Sequence, residues 1–151
     1  MDDARPRATI AGIMKKATPD TNMVSAPVIA KERGIKISTT NQGKSGAFEG
    51  YMKVMIVTET RERSIAGTVF SDGKPRFIQI KGINIDAEIG TNMIYTTNKD
   101  VPGIIGTLGG ILGKNGVNIA NFTLGRKEST SEAIALLYLD EPISADVVGQ
   151  L

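Results

Sequence analysis

A cluster of polar residues lies where a β-rich segment gives way to a glycine-rich helix. Asp100 comes just before Pro102, and Pro102 suits the first turn of a helix because it has no amide hydrogen to lose. The unpaired amides and the dipole of such a helix start favour a carboxylate, supplied either by Asp100 as a cap or by a ligand. Asn118 is either a turn residue or a side chain directed at the same loop. From the pattern alone, simple capping by Asp100 is the favoured interpretation, and a site for a ligand carboxylate is the alternative.

Several classes of chemistry are excluded by what the chain lacks. Its 151 residues contain no histidine and no cysteine, which rules out a Ser-His-Asp triad, a histidine general base and His-ligated zinc. Neither G-x-G-x-x-G nor G-x-x-x-x-G-K-[ST] occurs, so no nucleotide-binding loop is expected. We therefore predict no catalytic residue, no metal and no cofactor within this chain.

The composition is typical of a soluble globular protein. Hydrophobic residues make up 40% and charged residues 23% of the chain, which argues against disorder. The formal net charge of +2 comes from dispersed basic residues without interleaved aromatic residues, so we expect no nucleic-acid partner. No apolar run approaches the length of a membrane span, and we expect a cytoplasmic protein that has no membrane partner.

The N-terminal part is predicted to hold two helices and an antiparallel meander. Helical periodicity covers residues 8–16, and a second helix spans residues 26–33, with Ser25 as its N-cap and Gly34 just past its end. Residues 39–50 are expected to form a loop. From residue 51 the period changes to two, which predicts strands at residues 51–58, 64–70, 76–80 and 83–85, with a tight Asp72-Gly73 turn.

A second unit is predicted from about residue 91 onward. Strands at residues 92–97, 117–124 and 133–140 alternate with a helix from Ile104 and a final helix capped by Ser144, which gives the order β-α-β-β-α. This is a ferredoxin-like (βαββαβ) sheet that stops before its last strand. The glycines of the helix indicate either tight helix-on-sheet packing or close approach of a ligand or another backbone. The predicted fold class is α+β, with two small units at residues 1–90 and 91–151.

Several motifs carry a family resemblance. DVPGIIG at residues 100–106, followed by GVNIA at 116–120, resembles the signature of ACT domains, which are small amino-acid-sensing modules. Upstream segments resemble the intervening, allosteric substrate-binding domain of long-form D-3-phosphoglycerate dehydrogenases, namely NMVSAPV (22–28), AKERG (30–34), GTVF (67–70) and IQIKGINID (78–86). The resemblance implies a partial intervening domain followed by a C-terminally truncated ACT domain.

The resemblance also implies a function. The parent enzyme would oxidise 3-phosphoglycerate with NAD in the first step of L-serine biosynthesis, through catalytic domains that lie upstream of this chain. L-Serine, or a similar small metabolite, would bind as allosteric effector where two ACT domains associate in a homo-oligomer. The matching effector-binding positions are the polar Asn98, Asp100 and Asn118, together with the main chain of Val101, Pro102, Gly103 and Ile104. Relatives commonly carry His or Tyr where this chain has Asn98.

Arg76 falls at a position that binds phosphate or substrate in some relatives, and it is a candidate anion site. Its alternative interpretation is an exposed strand residue, since two other positions that are basic in those relatives are Ile83 and Glu88 here. Two alternative functions stay open for the whole chain. It could be a purely structural oligomerisation module, or the regulatory domain of an L-serine dehydratase.

Overall fold

The structure, a computed structural model, describes residues 4–40 and 50–151. The chain forms two compact units, residues 1–46 and 47–151. Both helices and antiparallel sheets are present, so the predicted α+β class is confirmed. Among the helices that the structure describes, none is both long and apolar enough to cross a membrane.

The first unit contains two helices. The helix α1 spans Ala4–Lys15 and α2 spans Ala26–Glu32, and they bury small side chains such as Ala11, Ala26 and Ala30. Ser25 occupies the N-cap position of α2, but its side chain does not cap the helix. The predicted capping by the Ser25 side chain is therefore wrong, although the residue is at the N-cap position. Just before the helix, Asn22 Oδ1 accepts hydrogen bonds from the amides of Val24 and Ser25.

The second unit begins with a four-stranded antiparallel meander, as predicted. Its strands are β1 Met52–Val57, β2 Glu62–Val69, β3 Pro75–Ile80 and β4 Ile83–Glu88, in the order β1-β2-β3-β4. The predicted turn between β2 and β3 is confirmed, with Gly73 at φ 77° and Asp72 Oδ1 accepting from the Lys74 amide. β4 is longer than predicted, because the alternating side chains of residues 83–88 bury one face of the strand.

The β3–β4 connection is a two-residue turn with an unusual backbone. Ile80 pairs with Ile83, and the residues between them, Lys81 and Gly82, have φ angles of 52° and 77°. Positive φ at both central positions is the signature of a type I′ hairpin turn, in which Asn or Gly is the favoured first residue. A lysine in this conformation carries backbone strain that an asparagine or glycine would reduce.

A three-stranded antiparallel sheet and its helix complete the unit. The elements are β5 Met93–Lys99, α3 Ile104–Lys114, β6 Ile119–Arg126, β7 Glu132–Leu139 and α4 Ala145–Val148, with sheet order β5-β7-β6. The predicted β-α-β-β-α order is therefore observed. α3 is terminated by Gly116 at φ 71°, and the Val117 amide donates a hydrogen bond to the Leu112 carbonyl. Ser144 caps α4 by accepting from the Val147 amide.

Two apolar clusters stabilise the second unit. One lies between the two sheets and joins Ile80, Ile83, Ile85 and Ala87 to Ile134 and Leu136 of β7. The other lies on the opposite face of the β5-β7-β6 sheet and includes Leu112 of α3 with Ala135, Leu137 and Leu139. β7 is thus buried on both faces. The predicted domain boundary at 90/91 falls between the two sheets, and the division into domains there stays a prediction.

Candidate functional site

The β5–α3 loop holds most of the predicted effector-binding residues. The Asp100 amide donates to the Ser131 carbonyl at 2.7 Å, and the Val101 amide donates to the Lys99 carbonyl at 2.9 Å. The chain then reverses at Gly103, which has φ 94° and is the N-cap of α3. α3 begins at Ile104, two residues after Pro102, so Pro102 lies in the loop and the prediction that it occupies the first turn of the helix is wrong.

The start of α3 is not capped by a side chain within the described residues. Asp100 is three residues upstream of the N-cap, so the capping interpretation of Asp100 is wrong. The first amides of any α-helix lack intrahelical partners, and the helix dipole adds a partial positive charge there. The main chain from Gly103 onward therefore offers donors to an anionic group such as a carboxylate.

Asp100 forms an ion pair with Arg126, which lies beyond the strand predicted at residues 117–124. The Nε atom of Arg126 lies 3.4 Å from Asp100 Oδ2, and the side chains of Asp100 and Arg126 are 37% and 62% exposed. The pair forms because β6 continues to Arg126, at the same end of the sheet as the end of β5. An exposed pair of this kind contributes little to stability, so both charges remain available to a ligand.

Asn98 presents a buried acceptor on the helix-facing side of β5. Its Nδ2 donates to the Lys99 carbonyl at 2.8 Å, but no donor to its buried Oδ1 is found within the described residues. Thr96, two residues earlier on the same face, also has a buried oxygen without a partner among these residues. Buried polar atoms are normally hydrogen-bonded. These two oxygens are therefore candidates for bonds to a ligand.

A concave surface of about 290 Å³ adjoins this loop. Its lining consists of polar residues from the ends of β5 and β7, namely Thr97, Asn98, Lys99, Thr130, Ser131 and Glu132. Glu132 forms an ion pair with Lys81 of the β3–β4 turn, which lowers the pKa of the Glu132 carboxyl from its ordinary value. The surface suits a small polar molecule rather than an apolar one.

Asn118 is not part of this cluster within one chain. It precedes β6, and Ile119 pairs with Leu139 at one end of β7, whereas Lys99 pairs with Glu132 at the other end. The seven-residue step along β7 corresponds to roughly 24 Å. The predicted approach of Asn118 to the Asp100 loop of the same chain is therefore wrong, and Asn118 Nδ2 donates to Asp140 instead.

Arg76 lies on β3 and is surrounded by carboxylates. Its guanidinium lies 3.1 Å from Asp72, 3.4 Å from Asp86 and 3.6 Å from Glu88, and it stacks 4.7 Å from the Phe70 ring centre. The hydrogen bond to Asp72 is the main cause that raises the pKa of Arg76. An anion would have to compete with three carboxylates, so the geometry favours a role for Arg76 in joining β3 to its neighbours.

The glycines of α3 leave one surface of the helix open. Apart from the backbone of α3 itself and the neighbouring residues in the chain, a Cβ atom added at Gly106, Gly109, Gly110 or Gly113 would meet no described atom within 4 Å. Tight packing of these glycines against the sheet was one of the two predicted explanations, and it is wrong for these four positions. The other explanation, approach of a ligand or another backbone, stays a prediction.

Sequence reasoning missed Arg126, Ser131 and Thr96 at this site. Thr96 could have been found from the alternation of β5, since it shares a face with Asn98. Arg126 and Ser131 come close to Asp100 only through strand pairing across the sheet. No group of three or more acidic, histidine or cysteine side chains that could hold a metal is present in residues 4–40 and 50–151.

Comparison with known proteins places the chain in a family. The D-3-phosphoglycerate dehydrogenase intervening domain matches residues 4–81. The chain is 32% identical to D-3-phosphoglycerate dehydrogenase of Synechocystis sp. over 95% of its length and 26% of that protein, and 32% identical to the Bacillus subtilis enzyme over 96% of its length and 28% of that protein. The Methanocaldococcus jannaschii enzyme is 30% identical over 99% of the chain and 28% of that protein.

The chain thus spans about a quarter of the length of these relatives. The matched region is the C-terminal part of the dehydrogenases. The match at residues 4–81 covers the two helices and the first three strands of the meander, in agreement with the resemblance seen in the motifs. On these grounds the chain belongs to the D-3-phosphoglycerate dehydrogenase family and corresponds to the C-terminal, intervening-domain region of its members.

Proposed function

We propose that this chain is the regulatory part of a D-3-phosphoglycerate dehydrogenase and that residues 91–151 form an ACT domain. In this proposal L-serine, or a related small amino acid, binds between two copies of that domain. The observation that carries the proposal is the pair of buried β5 oxygens, Thr96 Oγ1 and Asn98 Oδ1, which have no hydrogen-bond partner in the described part of the chain, together with a start of α3 that no described side chain caps. A purely structural role does not require buried acceptors without donors.

The position of Asn118 supports a site shared by two copies. Asp100 and Asn118 lie at opposite ends of one sheet, so a single chain cannot bring both to one ligand. In a twofold dimer every contact occurs twice, because a residue of the first copy that contacts a given residue of the second copy is matched by the same contact with the copies exchanged. Pairing the Asp100 end of one domain with the Asn118 end of its partner therefore creates two equivalent sites.

The chemistry of the loop matches an amino-acid zwitterion. The main-chain amides from Gly103 onward would hold the carboxylate at the start of α3. Asp100 and the Asn98 Oδ1 would accept hydrogen bonds from the ammonium group, with Asp100 forming a charge-assisted bond. The ammonium group would compete with Arg126 for the Asp100 carboxylate, since these two residues already form a pair. Asn118 of the second copy would bind the remaining polar group.

Regulation in this proposal is a population shift. An effector bound across two ACT domains favours the paired arrangement only to the extent that it binds that arrangement more tightly. The pairing would restrain upstream catalytic domains that oxidise 3-phosphoglycerate with NAD. The cofactor would be held by those domains.

The direct test is calorimetric titration of the chain with L-serine, using glycine as a comparison ligand. We expect saturable binding of L-serine that is lost in Asp100→Asn, which removes the charge and keeps the shape of the side chain. Asp20→Asn, in the other unit, is the matched control and should bind as the parent does. Urea unfolding of both variants shows that the fold is intact. Unchanged L-serine affinity in a folded Asp100→Asn variant would reject the proposed site.

A second candidate function is assembly without an effector. It is favoured by the open glycine surface of α3, where another backbone has room to approach. Sedimentation of the chain with and without L-serine distinguishes the two functions, because a purely structural module associates equally in both conditions. Membership of the D-3-phosphoglycerate dehydrogenase family argues against the alternative function as the regulatory domain of an L-serine dehydratase.

A further inference from the structure

A second, quite different cavity lies where the two sheets of the second unit diverge. It has a volume of about 400 Å³, which falls in the usual range of small-molecule pockets. We name it the intersheet pocket. Most of its walls are formed by apolar side chains of both sheets, namely Val54, Ile56, Ile65, Phe77, Met93 and Leu136.

The register of the strands explains how these walls form. Val54 of β1 pairs with Ile65 of β2, and Ile65 pairs with Ile80 of β3, which makes an apolar row across the first sheet. Tyr95 pairs with Leu136 on the second sheet and forms the opposite wall. The inner end of the pocket is continuous with the buried cluster that contains Ile80 and Leu136.

Charged and polar groups also line the pocket, and the exposure of Arg63 and Tyr95 to solvent places them at its mouth. Arg63, Lys81 and the Tyr95 side chain all line it. Lys81 is paired with Glu132, whereas no carboxylate among the described residues lies within ion-pair distance of Arg63, whose Nη1 donates to the Glu62 carbonyl at 3.2 Å. Arg63 and Lys81 together carry more positive charge than Glu132 offsets, and the Tyr95 hydroxyl is a hydrogen-bond donor at neutral pH.

The strained backbone at Lys81 is a second, independent feature of this mouth. Lys81 has φ 52° in a turn where asparagine or glycine is the favoured residue. Strain of this kind is tolerated where the side chain has a role that offsets its cost. Here the lysine forms an ion pair with Glu132 beside the pocket, whereas Arg63 has no carboxylate within ion-pair distance among the described residues.

We propose that the intersheet pocket binds a free monocarboxylate with an apolar tail of about eight to ten carbon atoms. The tail packs between the Val54–Ile65 row and Leu136. The carboxylate lies at the mouth and accepts hydrogen bonds from Arg63 and Tyr95. Apolar walls alone would accept any hydrophobic molecule, and the charge at the mouth makes the pocket selective for an anion.

The test uses decanoate, titrated calorimetrically into the full chain at submicellar concentration, with 1-decanol and decyltrimethylammonium as ligands of matched tail. We expect one saturable decanoate site per chain, weaker binding of decanol and no binding of the cation. Arg63→Gln should weaken decanoate binding about fivefold to tenfold. Arg61→Gln removes a charge outside the pocket and should leave the affinity unchanged.

A second variant tests the pocket itself. Val54→Phe fills the cavity and should abolish decanoate binding, while Met55→Phe, a neighbour that does not line the pocket, should not. Thermal unfolding confirms that both variants are folded. Equal binding of all three ligands, or decanoate affinity unaffected by Arg63→Gln, would overturn the proposal. The proposal would also be overturned if the chain formed a dimer that decanoate does not affect and that Val54→Phe dissociates. A second copy of the chain would then cover the pocket.

Discussion

Asp100 and Asn118 lie at opposite ends of the same three-stranded sheet, separated by the length of β7. Lys99 next to Asp100 pairs with Glu132, and Ile119 next to Asn118 pairs with Leu139. The two residues cannot contact one small ligand within a single chain. A shared effector site therefore requires two copies of the chain, and this geometric constraint leads to the first prediction.

Mixing two variants that each bind L-serine weakly should restore part of the L-serine binding. Asp100→Ala and Asn118→Ala each damage both sites of a symmetric dimer, so each variant alone should bind L-serine at least about tenfold more weakly. A mixed dimer contains one site with both substitutions and one site with neither. Calorimetry on the refolded mixture should recover sites with the parent affinity.

The control for this experiment is the double variant Asp100→Ala/Asn118→Ala mixed with the parent chain. Its mixed dimers contain no undamaged site, so binding should fall by more than the dilution of the parent explains. Recovery of no sites in the first mixture, although sedimentation shows exchange of subunits, would contradict a site shared between copies.

Alanine at Gly109 should stabilise the isolated chain. The residue lies inside α3, and an added Cβ meets no described atom within 4 Å outside the neighbouring residues and the backbone of the helix itself. Replacing an interior helix glycine by alanine is worth about 1 kcal/mol in the free energy of unfolding. Urea unfolding at low protein concentration measures this gain, and sedimentation of the same variant reports whether the Cβ weakens association of two copies.

The matched control is Gly116→Ala at the end of the same helix. Gly116 has φ 71°, a conformation that costs alanine about 1 kcal/mol or more. This variant should therefore be less stable than the parent. Destabilisation by Gly109→Ala would show that the open surface of α3 is closed in solution by a contact within the chain.

Alanine at Gly125 should destabilise the second unit. Gly125 of β6 is buried against β4, and an added Cβ would lie 2.9 Å from Ile83 Cγ2 and 3.0 Å from the Asn84 carbonyl oxygen. The carbonyl belongs to the backbone, so β4 and β6 would have to separate. We expect a loss of about 1–3 kcal/mol in the free energy of unfolding. Gly106→Ala, where the added Cβ meets open space, should not show this loss.

The Lys81–Glu132 ion pair should make stability depend on acidic pH. The hydrogen bond and charge of Lys81 lower the pKa of Glu132 in the folded chain. A lowered folded-state pKa contributes stability above the unfolded pKa of about 4.3, and this contribution is lost as the pH falls through the lowered value. Urea unfolding of the parent and Glu132→Gln should therefore differ at pH 7 and converge under acid conditions.

Glu128→Gln removes an exposed carboxylate from the loop that precedes Glu132 and is the control for charge. It should follow the parent across the whole pH range. A Glu132→Gln difference that stays constant from neutral to acid pH would show that Glu132 acts through packing rather than through its charge.

The elements of the second unit could be predicted from local signals. Alternating apolar residues identified the strands, and the Asp72-Gly73 pair marked the tight turn between two of them, because these residues tolerate the required backbone angles. The apolar periodicity of β1 did not predict how exposed its apolar face is, because Met52 and Ile56 are 48% and 43% exposed. Periodicity identifies a face that can be buried, and the presence of a covering layer depends on the rest of the fold.

The sequence by itself determined the family, the α+β class and the order of the elements, since these follow from motifs, periodicity and turn chemistry along the chain. Only the tertiary structure decided which polar residues meet. It separated Asn118 from Asp100, brought Arg126 to Asp100, enclosed Arg76 among carboxylates and placed Arg63 at the mouth of an apolar pocket. The physical reason is that strand pairing and sheet packing join residues distant in sequence, and their register sets distances that no local pattern encodes.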